Sequence, residues 1–136
     1  MRRSMFLGVL LLLGGCGSPA TLPELAVFEA TCVTDGIRID GSDVTPYNMP
    51  GTGVVEIRGA NLVRGPCALP IVGFDGHAFD LTAGSCTETD RHSFYDGGFG
   101  TLDGDALAFE IDGATEELAT GVRFEYHSTC TATRID

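Results

Sequence analysis

The 136-residue chain contains no lysine, no glutamine and no tryptophan, and all 8 of its cationic residues are arginine. Against them stand 19 Asp and Glu, for a formal net charge of −11. So few cations cannot neutralise a phosphate backbone, and no nucleic-acid partner is expected. Electrostatic adhesion to anionic lipid is excluded on the same ground. Long apolar runs are missing as well. The longest, Met5 to Leu13, has nine residues, where a helix crossing a bilayer needs about 20. No segment sustains the period of an amphipathic helix. There is no Gly-x-Ser-x-Gly elbow for a serine nucleophile, no EF-hand loop and no glycine-rich nonapeptide repeat. At this length one domain is the default.

What is present begins with an export address. Arg2 and Arg3 precede the apolar stretch, as in a cleaved secretory signal. The junction Leu13-Gly14-Gly15-Cys16 resembles the lipobox of bacterial lipoproteins: Leu at −3, small residues at −2 and −1, Cys at +1. That resemblance covers this segment alone. It implies a diacylglyceryl thioether on Cys16, cleavage after Gly15 and acylation of the new amino terminus, with palmitate as a typical chain. Each buried methylene adds about 0.8 kcal/mol, so two or three chains hold a protein durably on a membrane. Gly17 follows the cysteine where inner-membrane retention calls for Asp, so the outer membrane of the cell envelope is the expected location. An ordinary signal peptide cut near Ala20 is the alternative.

The expected organisation is therefore a lipoprotein signal peptide over 1–15, a lipidated tether over 16–23 and a single β domain over 24–136. Residues 16–136 keep six arginines and all 19 acids, for a net charge of −13. The tether, with Pro19 and Pro23, reaches at most about 25 Å. It would hold the domain close to the membrane surface.

Five cysteines are an odd number. With Cys16 lipidated, Cys32, Cys67, Cys86 and Cys130 remain in an oxidising compartment, an even set suited to disulfides. Of three connectivities we expect Cys32–Cys130, tying the opening strand to the closing one, with Cys67–Cys86 closing a short loop. Such closures typically contribute about 2–4 kcal/mol each. A zinc ribbon requires close Cys pairs, whereas these four are separated by 35, 19 and 44 positions.

The rest of the chain reads as short strands. In Val122 to Cys130 polar and apolar residues alternate, with Val122, Phe124, Tyr126 and Cys130 on the inward side. Leu107, Phe109 and Ile111 alternate with Ala106, Ala108 and Glu110 in the same way. Strands are expected near 25–34, 36–40, 52–59, 67–74, 77–82, 92–95, 98–102, 106–111 and 121–132. Asp-Gly occurs six times, at 35–36, 40–41, 75–76, 96–97, 103–104 and 112–113. Between alternating runs it signals hairpin turns. Segment 41–51, rich in Gly, Pro, Ser and Asn, is expected to be the longest loop. Ala114 to Thr120 is expected to form at most one helical turn, with Thr115 near its N-cap. The expected fold class is all-β: a small antiparallel meander closing into a calycin-like barrel, with a two-sheet β-sandwich as the alternative. The absence of tryptophan and of Tyr-x-Cys speaks against an immunoglobulin domain, and the missing Gly-x-Trp against a typical lipocalin.

Candidate chemistry is sparse. Asp103 with Asp105, and Asp40 with Asp43, place carboxylates around turns and are calcium candidates, although turn chemistry accounts for them without a ligand. His77, His92 and His127 share no ligand spacing and read as surface histidines. Asp75, His77 and Asp80 lie about one hairpin without converging. No catalytic residue, metal site or cofactor is nominated. The expected function is that of a membrane-anchored, non-enzymatic envelope lipoprotein with a binding or structural role. In size, anchor and charge the chain is similar to small lipid-anchored inhibitors of lysozyme, without a shared motif. A cationic cell-wall hydrolase is thus the alternative partner, and a small envelope hydrolase the alternative from another class. The address is directly testable: Cys16→Ala should move the protein from the membrane fraction to the soluble fraction, and continued membrane fractionation would contradict the anchor.

Overall fold

Residues 21–136 are described in a computed structural model, so the signal segment, Cys16 and most of the tether lie outside the described residues. Nine strands follow one another: β1 (Leu25–Asp40), β2 (Asp43–Arg58), β3 (Asn61–Arg64), β4 (Cys67–Val72), β5 (Ala78–Leu81), β6 (Gly84–Thr87), β7 (Arg91–Asp103), β8 (Ala106–Glu117) and β9 (Arg123–Arg134). No helix occurs among the described residues. All pairings are antiparallel, in the order β5-β4-β3-β2-β1-β9-β8-β7-β6. A further pairing of β5 with β7 closes the sheet into a ring. The meander barrel is therefore the architecture, and the two-sheet sandwich is not. Closure reduces the free edges that an open sheet of this length would expose, leaving among the described residues the first half of β2 and the outer side of β6.

Both expected disulfides are present. Cys32 and Cys130 are direct cross-strand neighbours on β1 and β9, with Cα atoms 4.1 Å apart. Cys67–Cys86 joins β4 to β6, strands that do not pair with each other.

Several local expectations are overturned. Segment 41–51 is not a loop: from Asp43 onward it is the first half of β2, paired residue for residue with β1. β3 covers only Val55–Arg58 of β2, so the preceding stretch keeps one edge unpaired among the described residues. Pro46 and Pro50 lie in that stretch, and proline is tolerated on an edge because it has no N–H to offer a further strand. The helical turn over 114–120 is absent. β8 runs on to Glu117, held by β9 through Glu116↔Arg123, and only 118–120 turn. β3 and β6, too short to show a pattern, were not expected from the sequence.

Three of the six Asp-Gly pairs lie within strands. Asp96-Gly97 forms a bulge that shifts the β7–β8 register, with Gly97 at a φ of 133°. The bulge falls where β7 exchanges one neighbour for another: His92–Tyr95 pair with β6 and Gly98–Thr101 with β5. Asp35-Gly36 is inside β1 and Asp112-Gly113 inside β8. Gly36 and Gly113 are the two cross-strand partners of Tyr126 on β9. A methyl group on Gly36 would collide with the Glu125 carbonyl. One on Gly113 would collide with the Phe94 carbonyl and stand 3.0 Å from the Tyr126 hydroxyl. Gly113 thus gives the Tyr126 ring a seat and Gly36 lets the β9 backbone approach closely, which a turn rule based on sequence neighbours cannot detect.

Gly113→Ala should destabilise the fold by about 1–3 kcal/mol, the usual range for overpacking. Gly51→Ala, where an added Cβ meets nothing within 4 Å, should stay within about 0.5 kcal/mol of the parent. Denaturant unfolding compares the two, and equal losses would contradict the assigned seat.

Candidate functional site

Side chains alternate along a strand, so each strand of the barrel contributes one row of inward residues. Followed from the end where β1 starts, these rows change character. On β1 they read Ala26, Phe28, Ala30, Cys32, Thr34; on β8, Leu107, Phe109, Ile111, Gly113, Thr115. On β9, read from its C-terminal end, they are Ala132, Cys130, Ser128, Tyr126, Phe124. On β2 they are Ile57, Val55, Gly53, Gly51 and Met49. The first half of the barrel is filled by Phe28, Phe109, Ile57, Leu62, Leu69 and Leu107, all fully buried. In the second half small and hydroxylated residues replace them, and the interior opens into a cavity of about 600 Å³.

Gly51 and Gly53 are central to this opening, because a side chain on either would extend into empty space. The walls carry two kinds of group. All 3 tyrosines of the chain line the cavity, Tyr47 on β2, Tyr95 on β7 and Tyr126 on β9, together with Phe124. Tyr47 and Phe124 meet edge to face with ring centroids 5.6 Å apart, a favoured aromatic geometry. Between them lie hydroxyls satisfied by one another: Thr34 with Ser128 at 3.0 Å, and Ser93 with Thr115 at 3.3 Å. Burial raises the hydroxyl pKa of Tyr95 and Tyr47, and pushes that of Tyr126 up to about 12. All three therefore remain hydrogen-bond donors at neutral pH.

The rim combines charges of both signs. Glu88, Arg91 and Glu117 line it on one side, and Arg64-Gly65 of the β3–β4 turn face them. The Cys67–Cys86 disulfide fixes this arrangement, since Cys67 follows that turn and Cys86 lies two residues before Glu88. Arg91 Nε lies 3.1 Å from Asp90 and 3.6 Å from Glu88. Glu117 accepts a 3.0 Å hydrogen bond from the Thr120 hydroxyl. Arg64 differs from every other arginine among the described residues. Arg38, Arg58, Arg91, Arg123 and Arg134 each pair with a carboxylate. Arg64 pairs with none and is half-buried in the cavity wall.

The residues singled out from the sequence lie elsewhere. Strand registers place the Asp40–Asp43 tip and the Asp103–Asp105 tip at opposite ends of the barrel. Asp40 is engaged by Arg38 at 3.2 Å, and Asp103 by His77 Nδ1 at 2.5 Å. Among the described residues no group of three or more His, Cys, Asp or Glu stands where it could hold a metal ion. Asp75 turns its carboxylate back to the amides of His77 and Ala78, at 2.9 and 2.7 Å, which lowers its pKa. His127 lies between Asp112 at 2.7 Å and Glu110 at 2.9 Å. Hydrogen bonds to both carboxylates raise its pKa, as the bond to Asp103 raises that of His77. His92 stacks on Phe94 with centroids 4.4 Å apart. None of the three histidines lines the cavity.

The sequence carried a signal for this site that alternation alone does not reveal. Along β1, β2 and β8 the inward positions switch from larger apolar residues to glycine and threonine, while β9 brings in Tyr126 and Phe124. No family model, no curated protein and no solved structure matches the chain. Because tryptophan is absent, tyrosine spectroscopy reports the cavity alone. In an absorbance titration the last tyrosine should ionise near pH 12, and Tyr126→Phe should remove that step. Three tyrosines ionising together near the ordinary value of about 10 would contradict the burial described.

Proposed function

We propose that the chain is a lipid-anchored protein of the bacterial cell envelope whose barrel receives a small amphipathic molecule in its open half. One observation carries this reading: a cavity of about 600 Å³ walled by three tyrosines, a phenylalanine and paired hydroxyls. That volume lies within the range of about 300–1,000 Å³ usual for small-molecule sites, which combine apolar walls with a few placed polar groups. The anchor rests on the lipobox and on cysteine arithmetic, since two disulfides account for four of the 5 cysteines and leave Cys16 for the lipid.

Binding is favoured over catalysis by what surrounds the hydroxyls. Ser93, Thr115, Thr34 and Ser128 bond to one another and not to a histidine, and activation of a hydroxyl nucleophile requires an adjacent base. Capture of a cationic cell-wall hydrolase has only the net acidity behind it, and solubility of a crowded surface protein accounts for that equally well.

The test uses N-phenylnaphthylamine, an uncharged probe that fluoresces in apolar surroundings. It should bind with one-to-one stoichiometry, and Gly53→Leu, which projects a side chain into the open space, should abolish binding while leaving the circular dichroism unchanged. Gly51→Leu serves equally if the first variant fails to fold. Absence of probe binding, or undiminished binding by a folded filled variant, would overturn the reading.

A further inference from the structure

The charge pattern of the rim narrows the class of ligand. The described residues contain 19 acids and six arginines, so carboxylates outnumber guanidinium groups about three to one. Under those conditions an arginine finds a carboxylate with ease, and five of the six do so. Arg64 is held in the cavity wall by a tight turn between β3 and β4, with Gly65 at a φ of 56°. Among the described residues it has no carboxylate within salt-bridge distance and no side-chain hydrogen-bond partner. Its positive charge is felt at the hydroxyls of Tyr95 and Tyr126, where it opposes the upward effect of burial. Guanidinium and two phenol donors thus face the same interior space. A guanidinium left without a partner beside aromatic walls is suited to receive a planar oxyanion through parallel N–H···O bonds.

We propose that Arg64 is the anion-recognition residue of this cavity, and that the ligand is a small organic monoanion with an apolar body, such as a carboxylic acid. This deepens the reading of the cavity as a binding site and depends on it. The anionic group would lie between Arg64 and the hydroxyls of Tyr95 and Tyr126. The apolar body would lie against Tyr47, Phe124 and Met49, where the wall is aromatic or aliphatic. Glu88 and Glu117 on the same rim disfavour a second negative charge, so a monoanion is selected over a polyphosphate.

The experiment compares molecules with one aliphatic tail and different heads. Octanoate, octyl phosphate, octanol and octylamine each compete with bound N-phenylnaphthylamine on the full chain. Octanoate should bind at least about tenfold more tightly than octanol, the scale expected for hydrogen bonds to a charged partner. Arg64→Gln should erase that difference, and an unchanged circular dichroism spectrum shows that the variant is folded. Arg64→Lys should restore part of it, since it keeps the charge but loses the planar fork. Octyl phosphate binding more weakly than octanoate supports the monoanion, and tighter binding overturns it. Preference for octylamine would overturn the proposal and assign the site to Glu88 and Glu117. Equal binding of all heads, with the probe still displaced, would overturn the role of Arg64 while leaving the cavity reading intact. Failure of the probe itself to bind would remove that reading.

Discussion

An eight-stranded closed sheet encloses just enough space to be filled by its own side chains. Here β1 to β5 and β7 to β9 form such a ring, with β6 appended along β7. Whether the interior is solid or hollow is therefore decided residue by residue at the inward positions. At one end Phe28, Phe109, Ile57 and four buried leucines, Leu62, Leu69, Leu81 and Leu107, fill it. At the other, glycines on β2 and hydroxyls on β1, β7, β8 and β9 leave it open. Burial of the first group supplies the hydrophobic stabilisation, at roughly 25 cal/mol per Å² of apolar surface. Two disulfides then hold the open half where packing is thin. One crosses β1 and β9 at the cavity wall, and the other ties β6 to the turn that carries Arg64.

Charge follows the same division. The exterior spends its arginines on neighbouring acids in exposed pairs, each worth little to stability. In the cavity wall a single guanidinium is left without a carboxylate, next to tyrosine hydroxyls that burial keeps protonated. A chain this acidic repels anions at long range, so an anion-accepting site must be local and enclosed, where water screens it less. The barrel supplies a partly open pocket of this kind.

The parts of this architecture legible in the sequence are those governed by short-range pattern. The alternation in β9 and β8 identified the inward residues, including Phe124, Tyr126 and Cys130, and the even set of four cysteines led to both pairings. The Asp-Gly rule succeeded at 40–41 and 103–104, which turn, and failed at 35–36 and 112–113. Those two glycines answer to Tyr126, a residue distant in sequence, and local turn chemistry has no access to that partner. Segment 41–51 read as a loop because its prolines are poor in a central strand, and no pattern announced that the strand would lie on an edge. The cavity is hidden from such a pattern for a different reason. Period-two alternation sorts residues as polar or apolar only, whereas the informative variable is the change in side-chain size along the inward rows of β1, β2 and β8.

The central claim is that one half of the barrel is a packed core and the other a preformed binding cavity. Backbone amide NMR of the mature domain, recorded as octanoate is added, tests it most directly. The account predicts shifts gathered on Gly51, Gly53, Arg64, Ser93 and Thr115, with Phe28, Leu107 and Phe109 unmoved. Shifts scattered over the outer surface, or spread through the packed half as the whole barrel rearranges, would contradict it.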